Sequence, residues 1–179
     1  SYFRQSGAAI GVHDLMAYLL DSNVLITAKR VHYGFDFCPG FWDWIVAEHT
    51  GGRLYSIERV YDELKDQQDD LAEWVKRLPD TFFLSPDRET VPHFTAVSTW
   101  ASSQNYKTPA INEFLQTADF HLVAQARQGG HTVVTYEVPG GSLNRIKIPD
   151  ACLGLGLNSV LPHEMLRRGR ARFVLGAGA

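Results

Sequence analysis

The chain has little cysteine, little excess charge and no long hydrophobic run. Its two cysteines, Cys38 and Cys152, lie far apart and outside any C-x-x-C pattern. That excludes a disulfide framework and a structural zinc site, and it fits a reducing compartment, so the expected location is the cytoplasm. No apolar stretch approaches the roughly 20 residues that a membrane-spanning helix needs, and no membrane partner is expected. Residues 1–15 lack the apolar centre of a secretory signal and carry Arg4, Gln5, His13 and Asp14. They read as detached from the rest of the chain. Met16 directly precedes the first predicted strand, so 1–15 are expected to be an extension or expression remnant ahead of one domain over 16–179. None of the seven histidines pairs at metal-ligand spacing. A net charge of −3 and a pI near 6.1 are not those of a basic nucleic-acid-binding domain. Any such contact has to use a local patch: Lys29 with Arg30, or the tail cluster Arg167, Arg168, Arg170 and Arg172.

What is present is organised around residues 17–26. Tyr18-Leu19-Leu20 is a short apolar run that reads as a buried strand. Val24, Leu25, Ala28 and Lys29 then carry helical spacing. Asp21 stands at the junction, where the carboxyl end of a parallel strand meets a helix start, and in open α/β sheets ligands bind at that edge. Ser22 and Asn23 are suited to opening the helix. Downstream, strands are predicted at 53–57, 81–84 and 132–135, with 172–175 as a last strand and 145–149 as a short strand or an extended loop. Helices are predicted from Pro39 to Thr50, stopped by Gly51-Gly52, and around 60–64, 71–78, 94–102, 117–127 and 161–168. Thr108-Pro109 reads as a helix start, 86–92 as a loop, and Asp150 as the cap of a helix through Cys152 and Leu155. Strands alternating with helices predict an α/β domain with a mostly parallel central sheet. The six aromatics of 33–45 either pack a helix onto that sheet or form a platform for bases.

Two acids, Asp21 and Glu137, fall just past predicted strands. Two more, Glu63 and Asp119, fall near predicted helix starts, while Asp62, Asp66, Asp69 and Asp70 read as solvated. These four positions can converge at one carboxyl edge. Carboxylates facing one another without a cation repel and raise each other's pKa. A hard divalent cation resolves the conflict, and oxygen ligands select Mg²⁺ or Mn²⁺ over zinc. Such a site activates water and clamps a phosphodiester. The bland alternatives are that Asp21 and Asp119 are helix caps, Glu63 a surface helix residue and Glu137 a loop acid.

The chain resembles the PIN-domain nucleases over about residues 17–175, in particular VapC-like proteins and a less characterised branch of that superfamily. The marks are Leu-Leu-Asp21-Ser-Asn23-Val, Ser56-Ile-x-x-Val60-Tyr-x-Glu63-Leu, Ala118-Asp119 followed by Leu122-Val-Ala-x-Ala126, and Val-Val-Thr135-Tyr-Glu137. Tyr-Gly-Phe-Asp-Phe-Cys-Pro-Gly-Phe-Trp-Asp-Trp and Ile-Lys-Ile-Pro149-Asp-x-Cys152 mark the branch. The resemblance implies a PIN-like three-layer α/β/α sandwich. It implies that Asp21, Glu63 and Asp119 are the principal catalytic and metal-binding acids, joined by Glu137, where the family usually has Asp or a polar residue. Asn23 and Thr135 would orient the carboxylates through hydrogen bonds. The implied activity is a Mg²⁺- or Mn²⁺-dependent endoribonuclease leaving a 5′-phosphate and a 3′-hydroxyl. Its implied role is the toxin of a toxin–antitoxin pair, restrained by a cognate antitoxin with a helix-turn-helix regulator and able to form a homodimer. Lys29 and Arg30 are the candidate RNA contacts. A second reading is a PIN-like protein-binding module without efficient nuclease activity. A third, a phosphatase with Asp21 as nucleophile, is weaker, because Asn23 stands where an acid two residues on would serve.

Overall fold

The structure, a computed structural model, describes residues 16–176; the leading segment 1–15 lies outside the described residues. Five strands form one sheet: β1 (Tyr18–Leu20), β2 (Leu54–Ile57), β3 (Phe83–Leu84), β4 (Thr132–Val134) and β5 (Ser159–Val160). Their order is β3-β2-β1-β4-β5, and every pairing is parallel. Nine α-helices among the described residues flank the sheet in a three-layer α/β/α sandwich: α1 (Ser22–Thr27), α2 (Pro39–Thr50), α3 (Glu58–Lys65), α4 (Asp70–Lys76), α5 (Val91–Ser103), α6 (Thr108–Gln116), α7 (Ala118–Gly129), α8 (Ile148–Gly154) and α9 (Pro162–Arg168).

Parallel strands covered on both faces need continuous apolar runs, because neither face meets water. Leu19, Leu20, Val133 and Val134 are accordingly all fully buried. Burying each such side chain contributes about 1.5–3 kcal/mol. The 33–45 segment is mostly core: Phe41 and Trp42 are buried, Tyr33 stacks on Phe41 at 4.4 Å and Phe35 on Trp42 at 4.1 Å. The packing alternative therefore holds for these rings, and of the six only Phe37 is exposed. Between α1 and α2 the chain makes a π turn, Ala28–His32. Pro39 opens α2, and Gly130, at φ 64, closes α7 in the left-handed conformation that glycine adopts without cost.

Several expectations are corrected. The fifth strand is Ser159–Val160, not 172–175. It pairs with β4, and that side of the sheet is then taken. Residues 171–176 form no strand; Phe173 instead packs edge-on against Tyr33 and Phe41. Of 145–149, residues 145–147 follow the loop alternative, while Ile148-Pro149 open α8. Asp150 does not cap α8: Lys147 precedes the helix and Asp150 lies in its first turn, its carboxylate accepting from Gly140 N. Within 86–92 a capping box between Asp87 and Thr90 starts a 3₁₀ turn that runs into α5. Asp69 is not merely solvated; it caps α4, accepting from Ala72 N at 2.9 Å.

Candidate functional site

Strand order reverses at β1, which has β2 on one side and β4 on the other, so a crevice opens beyond the carboxyl ends of β1 and β4. Leu20 pairs with Val134, and the next residues along are Asp21 and Thr135. The ladder carries on one step past β1, with Asp21 N donating to Val134 O at 3.0 Å. From the other side, the buried Ser56 hydroxyl donates to Leu20 O at 2.7 Å. The backbone under Asp21 is therefore fixed from both neighbouring strands.

Asp21 is 5% exposed. Although it precedes α1, its side chain does not cap that helix. Its Oδ2 accepts from the Thr135 hydroxyl at 2.9 Å. The same hydroxyl oxygen accepts from Asn23 Nδ2 at 3.1 Å and from Glu137 N at 3.1 Å. Asn23 Oδ1 completes the circuit by accepting from Tyr136 N at 3.2 Å. Thr135 thus joins the two strand ends, and Asn23 and Thr135 together hold the Asp21 carboxylate in one orientation.

Asp119 lies in the first turn of α7, after Thr117 rather than as the cap itself, and makes no capping bond. The positive end of the helix dipole favours an anion there. Glu63 is not near a helix start: it is exposed, in the last turn of α3. Because α3 packs against α7, Glu63 and Asp119 line one cleft of about 160 Å³. Two further cleft residues escape the sequence reading, Glu113 of α6 and Arg145 of the β4–α8 loop. A pointer to Arg145 is the Pro139-Gly140-Gly141 turn, which folds the chain back on Glu137.

Asp21 and Asp119 feel the charge of the other acids. Burial raises the Asp21 carboxyl to about 6, helped by the charges of Glu137 and Glu63 and opposed by the Thr135 bond. Burial raises Asp119 to about 7, reinforced by Asp21, Glu137 and Glu63, with Arg145 pulling the other way. Glu137 is more committed than its neighbours. Its Oε1 accepts from Arg145 Nη2 at 2.6 Å and its Oε2 from Ile148 N at 2.8 Å.

The donor set suits a hard cation: all oxygen, with one buried and one half-buried carboxyl, Asp21 and Asp119, whose ionisation a dication would ease. Asp21, Asp119 and the exposed Glu63 fit that role. Glu137 fits it less well, since ligation competes with Arg145. Among the described residues no group of three or more His, Cys, Asp or Glu side chains stands close enough to hold a metal ion. Lys29 is tied to Asp69 and Asp70 at 3.1 and 2.9 Å. Arg30 is exposed, and neither residue lines the cleft. No described helix is long and apolar enough to cross a membrane.

Comparison with curated proteins and with solved structures finds no match. The chain belongs to the family described as Domain of unknown function (DUF4411), whose model matches residues 18–173.

Proposed function

We propose that the protein is a Mg²⁺- or Mn²⁺-dependent endoribonuclease of the PIN-like kind. The observation that carries this reading is the pair Asp21 and Asp119. Asp21 is buried at the switch point and Asp119 is half-buried; burial raises them to about 6 and about 7, and neighbouring acids push each further up. An arrangement so unfavourable to the isolated chain is what a cation-assisted site requires. Asp21, Glu63 and Asp119 would hold the metal, with Glu137 the least available of the four. When bound, the metal supplies Lewis-acid activation of water and of the phosphodiester. The chain's own part is to orient Asp21 through Thr135 and Asn23 and to keep Asp119 at the α7 N-terminus. In the hydrolysis, water oxygen bonds to phosphorus, the P–O3′ bond breaks, and a 5′-phosphate and 3′-hydroxyl result. The toxin role, with a helix-turn-helix antitoxin and a homodimer, belongs to the same proposal.

The test is cleavage of a mixed small-RNA pool with Mn²⁺, Mg²⁺ or EDTA, with wild type beside Asp119→Asn. Cleavage that needs both the metal and Asp119 supports the reading; cleavage retained by the folded variant, or by wild type in EDTA, overturns it. A second reading, a protein-binding module, draws on a different feature. Phe37, Val174 and Leu175 are exposed, and with Trp44 and Phe173 they line an open groove of about 690 Å³ away from the acids. A protein that binds neither divalent metal nor RNA favours that reading.

A further inference from the structure

A cleft lined with carboxylates repels a nucleic-acid backbone. Bound metal offsets part of that charge, but holding a polyanion in register calls for a fixed cation at the rim. Among the residues lining the cleft, Arg145 is the one basic side chain. It is also close enough to Asp119 to oppose the rise of that carboxyl.

The way Arg145 is held matters more than its charge. Its loop is tied down along its length. Gly140 N donates to Asp150, Lys147 Nζ to Val138 O at 3.2 Å, and Lys107 N to Leu143 O at 2.9 Å. Gly141, at φ 61, makes the reversal that brings the chain back toward Glu137. Glu137, its side chain 14% exposed, is fixed through Oε2 by Ile148 N and through Oε1 holds Arg145 Nη2. The guanidinium itself is 60% exposed. Only Nη2 is used; Nε and Nη1 have no hydrogen-bond partner among the described residues. A planar guanidinium held at one nitrogen by a carboxylate presents its other donors in a set direction, the geometry that grips a phosphate at two oxygens.

We propose that Arg145, aimed by Glu137, is the backbone-phosphate contact of the acid cleft, gripping a phosphodiester of single-stranded RNA. Glu137 is then a positioning residue for Arg145 rather than a metal ligand. This rests on the nuclease reading for the identity of the ligand, not for the existence of the clamp.

The experiment measures binding of a fluorescein-labelled single-stranded oligoribonucleotide by anisotropy across a salt series. All proteins carry Asp119→Asn, with Mg²⁺ present, so that binding is read without cleavage. Arg145→Gln is expected to weaken binding about tenfold and to flatten the log–log salt dependence by about 0.7, the value for one lost phosphate contact on a single strand. Arg145→Lys restores the salt slope but only part of the affinity, because an ammonium cannot grip two oxygens. Thermal melting of Arg145→Gln within a few degrees of its parent shows that this exposed change leaves the fold intact. Unchanged affinity and slope in Arg145→Gln overturn the proposal, as does a parent that binds no RNA.

Calorimetry with Mn²⁺ separates the two roles of Glu137. In the proposal Glu137→Gln, made in the wild-type chain, keeps wild-type metal affinity. A loss as large as that caused by Asp119→Asn makes Glu137 a ligand and overturns its positioning role. The two hypotheses also fail separately. RNA binding that depends on Arg145 in a wild-type protein that never cuts removes the nuclease and keeps the clamp. Cleavage with binding indifferent to Arg145 does the reverse.

Discussion

Two acidic groups in this molecule behave in opposite ways. Asp69 and Asp70 share the Lys29 ammonium at 3.1 and 2.9 Å, and Asp69 also caps α4. The Asp69 carboxyl is held below its ordinary value, mainly by the bond from Ala72 N and then by Lys29. Asp21 and Asp119 have no such cation of their own, lie deeper, and are pushed up. A structural acid comes with its partner in the fold, so its charge costs little. An acid buried among other acids is a standing expense of the fold, one that a bound cation relieves. The contrast separates two sets of residues that look alike in sequence.

The sharpest way to break the comparison is at Thr135. Its hydroxyl donates to Asp21 and accepts from Asn23 and Glu137 N, and the residue is 1% exposed. Thr135→Val keeps the shape and removes all three bonds. Leaving buried partners unpaired costs about 1–3 kcal/mol, read by denaturant unfolding. Loss of carboxylate orientation is expected to lower RNA cleavage about 10–100-fold. Thr135→Ser, which keeps the hydroxyl, should recover most of both. No comparable effect is expected from removing Lys29.

A second test uses pH. In the folded chain Asp21 and Asp119 keep their protons up to about 6 and about 7, against 3.8 for the free groups. Between about pH 4 and pH 7 the folded state therefore binds more protons than the unfolded state, and metal-free stability falls as pH rises. Asp69 works with the opposite sign, since a lowered carboxyl stabilises above the ordinary value and stops doing so on acidification. The melting temperature of metal-free protein is expected to drop from pH 5 to pH 8. Mg²⁺ or Mn²⁺ should raise it at pH 8 and change it little at pH 5. Asp119→Asn should flatten the metal-free dependence. A rise in melting temperature across that range without metal would contradict the placement of these acids.

β1, β4 and the two strand-end acids were legible because a buried parallel strand writes an apolar run, which Asp21 follows at once and Glu137 follows after Thr135-Tyr136. Tyr18–Leu20 before Asp21 and Thr132–Val134 before Glu137 both show this. β5 was not legible, because two residues between Asn158 and Leu161-Pro162 carry no period. Glu63 was placed on a helix but at the wrong end, because α3 starts at Glu58, directly from β2, with no side-chain cap to announce it. Glu113 and Arg145 were missed because their place depends on how α6 and the β4–α8 loop fold over the cleft. That is a matter of tertiary packing, which local patterns do not encode. The same holds for Asp69, whose partner Lys29 is forty residues away.

The smallest expected effects lie on that ion pair, and they bear on Lys29 as an RNA contact. Lys29 stands on the π turn, its side chain 23% exposed, its ammonium already shared by two carboxylates. A partly exposed pair of this kind contributes about 0.2–1 kcal/mol. Lys29→Met should therefore lower stability by no more than that, with the loss shrinking in high salt. Asp69→Ala removes the α4 cap as well and should cost about 1 kcal/mol. An RNA contact would give a different signature: Lys29→Met would flatten the salt dependence of RNA binding, as expected for Arg145. Lys29 has two acids to leave before it can meet a phosphate, whereas Arg145 has donors to spare, so only the Arg145 change should move that slope.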